Sequence, residues 1–281
     1  KKIKIMQIVH NKESLLDKIR EYKSTGNKIT LIPTMGNLHH GHEALFSKAP
    51  NNTIKVATIY VNPLQFNNND DYQNYPRSLQ VDLDVCRQNN INLVYAPDGD
   101  ITNEIFIEKS IDLPKFTRYL CGQKREGHFL GVYKIVKFLF SIVSPDFACF
   151  GKKDFQQLLL IKYLANTYFP DTHIIDVNTV RGPNNIALSS RLNRLSKESL
   201  YSTFRIYETL QNIKSELLKG NSFDKLKEKS IEYLETNNIH VEYLDLRSLI
   251  TLEEASDKLK SCGIFIACYV DDIRLIDNIE I

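Results

Sequence analysis

Residues 54–61 read IKVATIYV, a nearly unbroken apolar and β-branched run closed by Asn62 and Pro63. A half-solvated strand alternates polar and apolar positions, so a run of this kind fits a strand covered on both faces, as in a parallel sheet. Residues 28–33 (KITLIP) and 92–96 (NLVYA) repeat the signal, and 77–89, ahead of the latter, has helical character. Strand and helix signals therefore alternate at βαβ spacing through the first hundred residues, which predicts a doubly wound, Rossmann-like parallel α/β sheet.

The alternation continues. Val132, Ile135, Val136, Leu139, Phe140 and Val143 fall on one face of a helix ended by Ser144 and Pro145. Residues 147–150 (FACF) read as a short strand, the stretch from Asp154 as a helix, and 173–180 as the last strand of this half. Beyond Arg181 the texture changes to Lys/Glu-rich amphipathic stretches at 196–219 and 223–236, then β-like runs at 241–246, 264–270 and 273–276. The expected organisation is a Rossmann-like N-terminal domain over 1–179 and a smaller α+β domain over 180–281, joined by a short hinge because no Gly/Ser-rich linker separates them.

Composition narrows the function classes. With 42% hydrophobic and 25% charged residues, 11 Gly and 9 Pro among 281, the chain is neither disordered, collagen-like nor a disulfide scaffold. Its 36 basic residues against 34 acidic ones leave a formal charge of +2, which argues against a nucleic-acid partner. Cys86, Cys121, Cys149, Cys262 and Cys268 are scattered, with no C-x-x-C pair, and fit free thiols in a reducing cytoplasm. The first residues lack the apolar core of a signal peptide. The most apolar helical stretch, residues 131–143, is too short and too charged to cross a membrane.

The densest chemical signal is PTMGNLHHGH at 33–42, a glycine-containing turn between a predicted strand and a predicted helix. A helix N-terminus offers unpaired N–H groups and the positive end of its dipole to nucleotide phosphates. His39 and His42 there are placed to donate hydrogen bonds to phosphate oxygens that gain charge as pyrophosphate leaves. Each is also of a type that caps a helix. A metal cluster of His39, His40 and His42 lacks an evident fourth ligand, and HEALF at 42–46 has no second zincin histidine. His40 is the member most readily read as incidental.

The turn resembles the H-x-G-H motif of the nucleotidyltransferase superfamily. YVNPLQF (60–66), YPRS (75–78), REGHFLGV (125–132), SPDFACFGKKDFQQL (144–158), ALSSR (187–191) and RLIDN (274–278) together resemble the pantothenate synthetase family, in order and at similar spacing, over nearly the whole chain. The resemblance implies a two-step ligase: (R)-pantoate attacks the α-phosphate of ATP, with Mg2+ accompanying the nucleotide, and β-alanine then attacks the acyl adenylate. It also implies a cytoplasmic homodimer and closure of the small domain over ATP.

Residue by residue, it implies that Met35, Gly36, Asn37, Leu38, His39, His40, Gly41 and His42 form a first ATP segment, with His42 the proton donor and His39 its phosphate-contacting companion. Gly151, Lys152, Lys153 and Asp154 match a second ATP segment, in which Lys153 meets phosphate and Asp154 the ribose region. A lysine at 152 replaces the usual glutamate, and a solvated Lys152–Lys153 charge pair is the alternative. Leu188, Ser189, Ser190 and Arg191 match the phosphate loop, with Arg191 a catalytic cation, and the Val180 backbone meets adenine. Gln65 and Gln157 match the pantoate-holding glutamines, suited by amides that both donate and accept. Asn62, at a strand's C-terminal end, and His128 join them as pantoate-site residues, with helix capping the alternative for His128. Asp82 lies where the family carries magnesium-associated carboxylates; a solvated helix carboxylate is the alternative. Asn184 and Asn185 replace the usual Asp-Gly, and Leu192 a common Asn.

Other superfamily enzymes are the rivals. A tRNA synthetase is expected to be larger and more basic, and a cofactor adenylyltransferase shorter. A catalytically silent member is expected to have lost phosphate-handling residues, and His39, His42, Lys153, Ser189, Ser190 and Arg191 are all of competent type.

Overall fold

A computed structural model describes residues 5–105, 111–255 and 260–281; the other positions, including the first four of the basic N-terminal segment, lie outside the described residues. In chain order the elements are β1 (Gln7–Val9), α1 (Lys12–Ser24), β2 (Lys28–Thr34), α2 (His40–Lys48), β3 (Thr53–Ile59), α3 (Asn69–Gln73), α4 (Leu79–Gln88), β4 (Leu93–Tyr95), α5 (Leu120–Lys124), α6 (His128–Val143), β5 (Phe147–Gly151), α7 (Phe155–Tyr168) and β6 (His173–Val177). There follow α8 (Lys197–Ser202), α9 (Phe204–Leu218), α10 (Phe223–Glu235), β7 (His240–Ser248), β8 (Cys262–Val270) and β9 (Ile273–Glu280).

Two compact units emerge. The first comprises Lys1–Pro114, Arg125–Lys152 and Gln157–Asn178; the second comprises Lys115–Lys124, Lys153–Gln156 and Thr179–Ile281. The second unit thus takes in residues 179–281 together with two short pieces of the N-terminal half.

The first unit holds a six-stranded sheet in the order β1-β4-β3-β2-β5-β6, every pairing parallel. Its central strands are apolar because both faces are covered: Leu31, Ile32, Val56, Ala57, Ala148 and Cys149 are fully buried. Strand succession runs outward from β2 through β3 to β4, then jumps to β5 on the other side of β2. Open α/β sheets bind ligands outside the carboxyl ends of their strands where the order reverses. Here the segments following β3, β2 and β5 carry Asn62 and Gln65, the 35–42 turn, and Lys152, all leaving from adjacent strands. The structure adds β1 and α1, which the sequence patterns did not single out. It also ends β6 at Val177 rather than 180.

The second unit is an antiparallel sheet, β7-β8-β9, backed by α9 and α10. Leu210, Ile213, Leu234, Leu244, Ile264, Ile266 and Cys268 form its core. The amphipathic stretch expected over 196–219 breaks at Thr203, a fully buried residue whose hydroxyl donates back to the Leu200 carbonyl at 2.6 Å. β9 runs past the apolar 273–276 to Glu280, carrying Asp277 and Asn278 into the interior.

Candidate active site

The 35–42 turn is held open by a carboxylate. Gly36 and Asn37 have φ values of +81° and +50°, a left-handed pair that reverses the chain after β2. Asp82, on α4 and only 1% exposed, accepts from the Asn37 N–H at 2.9 Å and the Leu38 N–H at 2.7 Å, one bond to each oxygen. Thr34 Oγ1 accepts from the Gly36 N–H at 3.2 Å and donates to the Thr58 carbonyl at 2.6 Å. Burial raises the Asp82 pKa, and the two N–H bonds pull it back. Asp82 is therefore no solvated helix carboxylate, and both of its oxygens serve the turn.

Two imidazoles stand where the turn becomes α2. His39 is the N-cap: its Nδ1 accepts from the Gly41 N–H at 3.0 Å, while its own backbone N–H donates to His42 Nδ1 at 3.2 Å. The rings lie 4.2 Å apart between centroids. A backbone N–H can only donate, so each Nδ1 is an acceptor and each neutral ring carries its proton on Nε2. Capping and hydrogen-bond donation are thus compatible, because they use different nitrogens. His40 differs: its side chain is 85% exposed and its Nδ1 lies 2.7 Å from Glu43, which leaves it a surface partner of α2.

Gln65 is fixed from three sides. Its Oε1 accepts from Asn62 Nδ2 at 3.1 Å, its Nε2 meets Met35 Sδ at 2.9 Å, and its carbonyl accepts from His128 Nδ1 at 2.7 Å and Arg125 Nη2 at 3.3 Å. Arg125 Nη1 lies 3.2 Å from His128 Nε2, so the His128 proton sits on Nδ1 and Nε2 accepts. Asn62, 1% exposed, also donates to the Gly131 carbonyl at 3.2 Å. A side chain at Gly131 would overlap the Leu64 carbonyl, which is how α6 comes so close. Asn62 and His128, both expected at the pantoate site, thus stand beside Gln65 and hydrogen-bond to it; His128 does not cap α6, whose N-cap is Gly127. Arg125 went unnoticed in the sequence, although it opens the REGH motif three residues before His128.

The paired glutamines on α7 part company. Gln156 accepts from the Cys121 N–H at 3.1 Å and donates to the Phe116 and Tyr119 carbonyls at 2.8 and 2.7 Å, whereas Gln157 is half-buried.

In the second unit, the Lys153 ammonium lies 3.9 Å from Asp154 and its carbonyl accepts from Asn278 Nδ2 at 2.9 Å. Residues 180–188 fold back on themselves: the Leu188 N–H donates to the Val180 carbonyl at 3.0 Å and the Gly182 N–H to Ile186 at 2.9 Å. At the tip, Asn184 and Asn185 have φ of +62° and +60°, a conformation Asn adopts more readily than most residues. The Asn pair therefore serves where Asp-Gly is usual. The chain leaves this loop at Ser189, whose Oγ accepts from the Arg191 N–H at 3.3 Å, and is anchored by Leu192, buried in the core of the unit. A leucine at 192 thus has a packing reason. Among the described residues no three His, Cys, Asp or Glu side chains stand together as a metal cage.

A family model described as "Pantoate-beta-alanine ligase" matches residues 7–280. A pantothenate synthetase of Aliivibrio fischeri is 38% identical over 271 residues, covering 95% of this chain and 93% of its own. The crystal structure of pantothenate synthetase from Thermus thermophilus superimposes with a TM-score of 0.87 at 31% identity, covering 98% and 99% of the two chains. A Francisella tularensis pantoate-beta-alanine ligase complexed with beta-gamma ATP and beta-alanine gives 0.80 at 31% identity and covers 98% of each.

Proposed function

The chain belongs to the pantoate-beta-alanine ligase family, and from that premise we propose how its residues carry the reaction. The reaction itself is the ATP-dependent joining of pantoate to β-alanine, forming pantothenate. It proceeds in two displacements. A pantoate carboxylate oxygen attacks the α-phosphorus of ATP and pyrophosphate leaves; the β-alanine amine then attacks the acyl carbon and AMP leaves. A carboxylate needs no base to attack, so the first step calls for positioning and for neutralising charge on the departing phosphates.

One observation carries the assignment of roles: His39 and His42 both accept backbone N–H groups at Nδ1, which commits Nε2–H as the donor of each ring. His42 Nε2–H donates to the phosphate oxygens as the bond to pyrophosphate breaks, and His39 Nε2–H joins it at the positive end of α2. Lys153, Arg191 and the hydroxyls of Ser189 and Ser190 contact the phosphates, with Lys152, Gly151 and Leu188 lining their segments. Asp154 meets the ribose and the Val180 backbone the adenine. Gln65 and Gln157 hold pantoate through its hydroxyls and carboxylate, and Gln65, fixed against Met35, aligns that substrate with the ATP turn.

For magnesium, Asp82 is the carboxylate that the family likeness singles out; both of its oxygens accept N–H groups of the ATP turn, and among the described residues no three His, Cys, Asp or Glu side chains cluster. An ion held mainly by the triphosphate oxygens and water suits such a site. A cytoplasmic homodimer is proposed on the family likeness, and the five buried free cysteines accord with a reducing compartment. No helix among the described residues is long and apolar enough to cross a membrane.

The test is AMP release from ATP and magnesium with (R)-pantoate and β-alanine supplied separately and together. Release only with both supports the ligase; no release under any of these conditions from folded, ATP-binding protein refutes it.

A further inference from the structure

The RLIDN motif at 274–278 has no part in the roles above, yet it puts two polar side chains into the interior of the second unit. Asp277 is 4% exposed and Asn278 9%. Neighbours along a strand face opposite sides of the sheet, so each needs its own partner.

Asn278 finds the Lys153 main chain, donating from Nδ2 to its carbonyl at 2.9 Å. Two residues on, Phe155 packs against Phe265 at 5.5 Å between ring centroids, and Phe265 is the register partner of Asn278 on β8. The Lys153–Gln156 piece is thus docked on one face of β8 and β9 by the Phe155–Phe265 ring contact and the Asn278–Lys153 hydrogen bond.

Asp277 finds Arg181. The guanidinium reaches it in a two-pronged contact, Nη1 to Oδ2 at 2.7 Å and Nη2 to Oδ1 at 2.9 Å. Nη1 also donates to the Asn185 carbonyl at 2.9 Å, and the guanidinium lies over the Tyr207 ring at 3.5 Å. Arg181 therefore ties the start of the 180–188 loop to its tip and both to β9. Ser189, at the loop exit, shares a small cavity with Tyr207 and Asp277.

Well-packed apolar side chains replacing Arg181 and Asp277 together would cost little stability, since a buried ion pair gains little over such packing. What they would not do is orient a carbonyl and a loop. We propose that Asp277 and Asn278 are positioning residues for phosphate handling: Asn278 fixes the main chain from which Lys153 projects, and Asp277, through Arg181, fixes the loop that delivers Ser189, Ser190 and Arg191. This rests on the phosphate role given above to Lys153 and the loop.

The experiment is pantoate-dependent exchange of labelled pyrophosphate into ATP, with KM for ATP and for pantoate measured separately in Asn278→Ala, Lys153→Met and the double variant. Asn278→Leu, which keeps the volume without the donor, serves if the alanine variant does not fold. The expected result is a loss of about tenfold in kcat/KM for ATP on replacing Asn278, KM for pantoate within about twofold, and no further loss when Lys153 is already methionine. Equal losses in both backgrounds, or unchanged exchange in a folded Asn278 variant, would overturn the proposal. Normal exchange by Lys153→Met alone would instead remove the phosphate role of Lys153, and the Asn278 proposal with it.

Discussion

The carboxylate of Asp82 occupies the space that a side chain on Gly36 would need: a Cβ there would stand 2.8 Å from Oδ2. The glycine and the aspartate are one device, the first giving the left-handed bend and the room, the second accepting the two N–H groups the bend exposes. Gly36→Ala should cost about 1–2 kcal/mol from the backbone alone and reduce pyrophosphate exchange more than stability loss explains, because the carboxylate must also move. Thermal unfolding and exchange measured on the same preparation check this; a stable alanine variant with full exchange would count against the device.

Asp82 also makes a pH prediction. Its pKa is raised above the ordinary 3.8 by burial, with the Leu38 and Asn37 N–H bonds opposing. The fold therefore favours the protonated form: the stability this group contributes is full below the unfolded value and lost as pH rises through the higher native one. Wild type should gain stability relative to Asp82→Asn as pH falls from neutrality into the carboxylate range. A constant difference in Tm across that window would contradict the raised pKa.

His39 carries two duties that substitution can separate. His39→Ala should lose the cap, about 1 kcal/mol of helix stability, and also the phosphate donor. His39→Asn should restore the cap through its amide oxygen without restoring exchange. His42→Ala should leave folding intact and lower exchange at least ~100-fold. Near-normal turnover by either His39→Asn or His42→Ala would refute the donor role of that ring.

Gly131→Ala forces a methyl into the Leu64 carbonyl and should push α6 from the 63–65 turn. A destabilisation of about 1–3 kcal/mol is expected, and KM for pantoate should rise more than KM for ATP, since Gln65 is what the contact positions. Calorimetry and separate substrate titrations read the two effects.

The two-asparagine tip gives a further test. Asn184→Val should cost about 1–2 kcal/mol, because a β-branched residue resists positive φ. The pair Asn184→Asp with Asn185→Gly should leave Tm unchanged or higher. A valine accommodated without loss would mean that the tip is not held in this conformation.

Much of this was legible in the sequence, and the failures have a common cause. β2 and β3 announced themselves because burial on both faces makes a strand apolar throughout, and the glycine-histidine turn because its residue types are rare and closely spaced. β1, three residues long, and α1, whose Leu15 and Ile19 sit among charges, gave too little apolar signal. Asp82, Asn62, His128 and Asp277 hydrogen-bond to partners 45, 69, 63 and 96 residues away, so local spacing carries no trace of those contacts. Asp82 looks like a solvated helix carboxylate until Asn37 and Leu38 are seen beside it. Asp277 looks like the end of a strand until Arg181 is.

The central claim is an acyl adenylate, and the fate of a carboxylate oxygen tests it most directly. Pantoate labelled with 18O in its carboxylate is turned over with ATP and β-alanine, and AMP and the phosphate products are analysed by mass. Attack on the α-phosphorus transfers one labelled oxygen to AMP and none to pyrophosphate. Label in inorganic phosphate, with ADP as the nucleotide product, would mean that the γ-phosphorus is attacked, and the roles given to His42 and His39 would not stand.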